Sequence, residues 1–343
     1  MPCFATIFKS FFNAQLTDQT HSEFGMNDTH GPSHASYRSA PEWWVMLVWS
    51  VLCLTVNVLG NSTVLVVLRN APETLERVTK FILQGIAVCD IGYGVSAIAP
   101  MIISLIAEDW VLGYHLCFAT AVLRLPVFVA TVILVLALSV NKVVVLLRPF
   151  YVRSRSVRLT CLCIALATGV SFSAMLLCYL LPRPGHAVYI AHLHACMVFA
   201  RAHFHLNVFR ALALPCMLGV VLSVIALIFI AQRQTRLRIK RQATLAAIFV
   251  AGTYTVLYLP TLYPVLGGRL SNLFHQVAIA MSFLNSCHNI FIYYATLRSF
   301  REFLLGLFRT PRDASGALGT SSSAARVSQS ALRSGQKSAA AAK

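Results

Sequence analysis

Hydrophobic residues in this chain fall in long runs separated by short polar and basic stretches. The longest extends from Cys117 to Leu147 and closes on Arg148-Pro149-Phe150. About 20 apolar residues cross the hydrocarbon of a bilayer, so this run is too long for a buried core helix and long enough to span a membrane. Further runs lie at Trp43–Leu68, Phe81–Ile106, Leu159–Leu181, Asn207–Ala231, Ala243–Leu266 and Leu273–Thr296. In lipid each must be helical, because every backbone N–H and C=O needs a partner within its own segment. The pattern predicts an all-α membrane protein, a seven-transmembrane helix bundle over 43–297. Beyond it, Phe300, Phe303, Leu304, Leu307 and Phe308 share one face of residues 298–308, which predicts a short amphipathic helix in the membrane interface. Residues 1–42 and 309–343 are polar or Ser/Ala/Gly-rich and are predicted to be disordered tails.

Composition agrees with the pattern. The chain has 343 residues, 57% hydrophobic and 11% charged; soluble domains carry about 25% charged residues. The formal charge is +17, but no soluble basic domain is present to bind nucleic acid, and that partner is excluded. The basic residues instead mark one face of the membrane. Arg69, Arg77 and Lys80, then Arg148, Arg153, Arg155 and Arg158, then Arg233, Arg236, Arg238, Lys240 and Arg241, then Arg298, Arg301, Arg309 and Arg312 occupy alternate connections. Lys and Arg favour the cytoplasmic side, so the N-terminus is expected outside and the C-terminus inside. The sequon Asn27-Asp28-Thr29 then falls outside, as a glycosylation site requires; Asn61-Ser62-Thr63 lies within an apolar run and is discarded. Most of the ten cysteines sit inside apolar runs, where the reduced thiol is usual. Cys117 and Cys196 lie at loop edges on the oxidising side. No cleavable signal peptide is apparent at the start of the chain.

Three charges inside the runs carry the candidate chemistry. Asp90 is a carboxylate deep in the second run, where an ionisable group is expensive and usually functional. Arg124 lies two turns beyond Cys117 on about the same face. Its guanidinium suits a carboxylate or phosphate and repels an amine; Glu108 and Asp109 in the neighbouring loop are the internal alternatives. Lys142 stands near the inner end of the third run, where the other reading is a snorkelling helix anchor. No paired carboxylates, metal-ligand spacing or nucleophile motif points to an enzyme, and no repeat symmetry points to a transporter.

The ordered features resemble a rhodopsin-like (class A) G-protein-coupled receptor over roughly residues 43–308. Gly60-Asn61 resembles the first-helix pair, Asp90 the second-helix aspartate, and Trp110 through Cys117 the loop leading to the disulfide cysteine. Pro215 and Pro260 match the prolines of helices five and six, and Asn289 and Tyr293 keep the outer letters of Asn-Pro-x-x-Tyr. The resemblance implies a Cys117–Cys196 disulfide. It also implies a sodium-linked switch at Asp90 with Thr131, Asn285, Ser286, Asn289 and Tyr293 around it. There are departures. Asn141-Lys142-Val143 replaces Asp-Arg-Tyr, Tyr258 precedes Pro260 in place of tryptophan, and Ile290 replaces the motif proline. Losing the acid beside Lys142 is expected either to unlock the resting state or to weaken coupling. The seventh run has no lysine for a retinal Schiff base, so a light sensor is excluded.

The expected function is a cell-surface receptor of the plasma membrane that binds an extracellular ligand and activates heterotrimeric G proteins. The ligand, acidic or peptidic rather than a monoamine, is expected to meet Arg124, Tyr258, His275, Asn207 and Arg201. The G protein is expected at Lys142, Arg148, Arg238 and Lys240. Arg233–Arg241 also suits membrane lipid headgroups. Arrestin would read phosphates on tail serines such as Ser321, Ser322 and Ser323. No cofactor is expected beyond Na+ at Asp90. The other reading is a seven-helix relative that binds ligand or arrestin without activating a G protein.

Overall fold

The structure, a computed structural model, describes residues 41–70, 75–148, 156–180, 186–190, 193–199, 202–233, 238–265 and 272–307. Asn27, Arg201 and the tail serines lie outside these residues, as do the side chains of Asn207, Arg238 and Lys240.

The helices are α1 (Pro41–Asn70), α2 (Arg77–Ala107), α3 (Gly113–Leu147), α4 (Val157–Leu180), α5 (Ala202–Arg233) and α6 (Arg238–Val265). Then come α7 (Asn272–Cys287), α8 (Asn289–Thr296) and α9 (Arg298–Leu307). Among the described residues six helices are long and apolar enough to cross a membrane. The seventh run, read from the sequence as one span, is two helices broken at His288. There Phe291 N–H bonds back to His288 O at 3.1 Å, and the ring Nδ1 of His288 takes Asn285 O at 2.5 Å. A side chain thus enters the backbone ladder at the break, a recognised cause of a kink.

The longest apolar run becomes the hub of the bundle. At about 1.5 Å per residue the 35 residues of α3 reach beyond the roughly 30 Å of hydrocarbon. They pack against α2, α4, α5 and α6. The ring closes because α1 packs on both α2 and α7. Helices begin before the apolar runs that predicted them: α2 at Arg77 rather than Phe81, α3 at Gly113 rather than Cys117, α5 at Ala202 rather than Asn207. Hydrophobicity marks the stretch that lipid requires, whereas a helix continues for as long as its backbone bonds are made.

α2 is not uniform. Residues Gly94–Ile98 form a π-helical turn, with Ala99 N–H bonded to Gly94 O. Pro100 follows; it has no N–H to give and its ring collides with the carbonyl four residues back, and the wider turn accommodates it. The second loop contains a hairpin that the sequence did not announce: β1 (His186–Ile190) pairs antiparallel with β2 (Ala195–Phe199), Tyr189 opposite Cys196. Both strands pack on α3, and Cys196 is bonded to Cys117. At the inner end, α9 turns Phe300 inward against Tyr293, ring centroids 6.1 Å apart, with Phe303 and Leu304 half-buried behind it. Its polar face carries the exposed pair Arg298–Glu302, so the helix is amphipathic as its pattern required.

The disulfide closes a loop with a sequence separation of 79, which in the chain-entropy view stabilises the fold by about 4–5 kcal/mol. Cys117→Ser and Cys196→Ser should each lower the melting temperature of the purified protein by roughly 10 °C or more. The double substitution should be no worse than either alone. Thiol-reactive dye unfolding in detergent reads this.

Candidate functional site

The candidate side chains lie in three layers along α3. In the outer layer, Arg124 lines a narrow open cleft, with a volume of about 10 Å³, between α2, α3 and the hairpin. Ser96 and Thr120 stand on its helical walls, and His194 comes from the turn between the strands. The roof is fastened on both sides. Cys196 ties it to α3, and the Tyr189 and Ser104 hydroxyls share a hydrogen bond of 2.6 Å that ties it to α2. The half-buried guanidinium of Arg124 pairs with no carboxylate among the described residues. Asp109, considered as its internal partner, instead accepts Trp110 N–H at 2.7 Å. Tyr258 and His275 do not line this cleft. Tyr258 lies deeper, and His275 is half-buried near the outer start of α7.

One turn below Arg124 is an aromatic cluster. Phe128 meets Tyr258 edge-on, centroids 4.6 Å apart, and Tyr258 meets Tyr254 at 4.7 Å. All three are buried. They form a direct contact between α3 and α6, and both tyrosines pack in the core.

The middle layer surrounds Asp90, which is 2% exposed. Asn289 donates to its Oδ2 at 2.6 Å. Asn57, which sequence reading passed over, donates to Asp90 O at 2.8 Å and to Ser286 O at 3.2 Å. Asn61 donates to Ser286 O at 2.8 Å. Two amides four residues apart on one helical face thus join α1 to α2 and α7, and that spacing was the available signal. The Thr131 hydroxyl donates to Val127 O on its own helix at 3.0 Å and also meets Cys89, the residue next to Asp90 on α2. Asn285 Oδ1, Asn289 Oδ1 and Asn57 Oδ1 are buried with no hydrogen-bond partner; the last two belong to amides that donate to Asp90. Tyr293 is buried against Phe300, its hydroxyl also without a partner. A second polar link was also missed: His288 Nε2 lies 2.7 Å from Thr253 Oγ1, joining the broken seventh span to α6.

The inner layer corrects an expectation. Lys142, 4% exposed, does not lack an acid. Glu76, which precedes the first turn of α2, brings Oε2 to 3.7 Å from its ammonium. No carboxylate adjoins Lys142 in the chain, and the fold supplies one from the start of α2. Arg148 caps the end of α3 and is exposed.

Gly94 sets the spacing of α1 and α2. A Cβ there would stand 2.5 Å from Asn57 Oδ1, so Gly94→Ala must displace the amide that holds Asp90 O. Overpacking of this kind costs about 1–3 kcal/mol, and the melting temperature should fall by several degrees. Gly92→Ala, with nothing within 4 Å of its Cβ, should leave it unchanged.

Compared with known proteins, residues 60–293 match the family described as 7 transmembrane receptor (rhodopsin family). Among curated proteins, none matches the chain.

Proposed function

We propose, on the premise that this chain belongs to the rhodopsin family of seven-transmembrane receptors, that it is a plasma-membrane receptor for a small anionic ligand. The fold and family make it a multi-pass membrane receptor of the G-protein-coupled kind. The positive-inside pattern supports an extracellular N-terminus and a cytoplasmic C-terminus.

The observation that carries the ligand class is the guanidinium of Arg124. It lies half-buried on the wall of the outer cleft, with no carboxylate among the described residues to neutralise it. A half-buried cation in such a place gains most from an anion that brings two acceptor oxygens, and a carboxylate matches its fork. Ser96, Thr120 and His194 add polar groups around the same space. A ligand held there presses on the turn of α3 that carries Phe128, and Phe128 touches Tyr258 on α6. Outward motion of α6 then opens the inner face, where Arg148 and the basic residues Arg238 and Lys240 meet a heterotrimeric G protein. Phosphorylated tail serines recruit arrestin.

The Asp90 layer supports a sodium ion in the resting receptor. Its carboxylate, with the unpartnered side-chain oxygens of Asn289 and Asn57 on amides that donate to Asp90, offers the hard oxygen donors that such a cation takes.

The test is a panel of small carboxylic acids, with their amides and matched amines as controls, read by G-protein dissociation in cells. One or more acids should activate and the amines should not. Arg124→Ala should raise the half-maximal concentration about 10- to 100-fold, the worth of a charge-assisted hydrogen bond, at unchanged surface expression. Arg124→Lys should fall between. Activation by amines, or an unchanged response in Arg124→Ala, would overturn the reading. Arrestin recruitment without G-protein dissociation would favour a receptor that binds without activating.

A further inference from the structure

The inner ends of α2 and α3 meet in a cluster of four side chains. Lys142 and Asn141 are both buried. The Lys142 ammonium donates to Thr79 Oγ1 at 2.5 Å and lies 3.7 Å from Glu76 Oε2. The Asn141 amide donates to the same Glu76 Oε2 at 3.1 Å and to Thr79 Oγ1 at 3.2 Å. The Thr79 hydroxyl donates to Glu76 Oε2 at 3.2 Å. Donors and acceptors match throughout. A hydroxyl has one proton and two lone pairs: Thr79 gives the proton to Glu76 and receives from Lys142 and Asn141. The primary amide has two protons, and both are used. One carboxylate oxygen collects a hydroxyl, an amide and a positive charge.

We propose that Glu76 is the counter-charge of Lys142, and that Glu76, Thr79, Asn141 and Lys142 form a latch between α2 and α3 that holds the inner face closed. The negative charge absent from position 141 stands at position 76 instead. This makes Asn141 part of the device. An aspartate there would set a second carboxylate within about hydrogen-bond distance of Glu76, and two carboxylates so placed repel. Glu76 and Asn141 are therefore complementary, each permitting the other. Glu76 is a positioning residue: it acts by holding Lys142, which a buried, unpaired ammonium could not do for itself. The latch crosses between helices, so a shift of α3 relative to α2 breaks it, whereas a bond within α3 would survive that motion.

The experiment uses the full chain, purified in detergent, with melting temperature as the first readout. Glu76→Gln and Lys142→Gln should each lower it by about 5 °C or more, and the double variant should fall well short of the sum. Asn141→Asp should lower it as well, and adding Glu76→Gln to that variant should restore most of the loss. Additive effects of Glu76→Gln and Lys142→Gln, or a gain in stability from Asn141→Asp alone, would overturn the latch. The second readout needs no G protein. Thr244 is buried on α6, and a Thr244→Cys thiol should react with a membrane-impermeant maleimide, applied from the cytoplasmic side, several-fold faster when Glu76→Gln is present. An equal rate would show that the cluster does not keep the inner face closed. The signalling consequence rests on the proposed function: faster labelling should come with a several-fold rise in ligand-independent G-protein activation. Faster labelling with no such rise would count against G-protein coupling and leave the latch standing.

Discussion

Lipid offers no hydrogen bonds, so every polar group carried into the bundle has to find its partner inside the protein. This constraint organises the structure more than apolar packing does, because apolar side chains gain little by leaving lipid for the interior. The helices are joined where a side chain reaches across to a neighbour's backbone. Asn57 and Asn61 take carbonyls of α2 and α7, the Trp43 indole takes Leu105 O, and that of Trp49 takes Ala280 O. Irregular turns sit beside such contacts. The π-helical turn of α2 begins at Gly94, against Asn57, and the break before α8 occurs at His288, which bridges to Thr253.

The two ends of α3 are held differently, and the difference suits a receptor. Its outer end is fixed covalently to the hairpin, which gives the cleft at Arg124 a firm roof. Its inner end is held by hydrogen bonds and one ion pair around Glu76. Between them, Phe128 couples α3 to Tyr258 and Tyr254 on α6.

Much of this was legible in the sequence, for physical reasons that also set the limits. Apolar runs are obligatory for crossing lipid, so the spans and the central place of residues 117–147 could be read directly. Cys117 and Cys196 stood out as loop-edge cysteines amid buried ones. Arg124 and Asp90 stood out because charge in an apolar run is costly. What escaped depends on contacts between distant segments. Glu76 looked like one more polar residue in a basic connection, since nothing local shows that α2 starts beside residue 142. Asn57 was hidden by its neighbours' hydrophobicity, and its role appears only when Asp90 O and Ser286 O arrive from other helices. The hairpin could not be foreseen because its strands are short and are held by a disulfide and by α3. Thr131 was placed near Asp90 by counting turns; its hydroxyl bonds the carbonyl four residues back, as hydroxyls in helices readily do, and meets Cys89 next to Asp90.

The central claim is that the charge holding Lys142 has moved to another helix, and exchanging the two charges tests it most directly. Glu76→Lys and Lys142→Glu should each destabilise the purified protein, the first by placing two cations together and the second by placing two carboxylates together. The account predicts that the doubly exchanged chain recovers a melting temperature within a few degrees of the unaltered protein. A double exchange as unstable as the sum of its parts would show that Glu76 and Lys142 are neighbours without being partners.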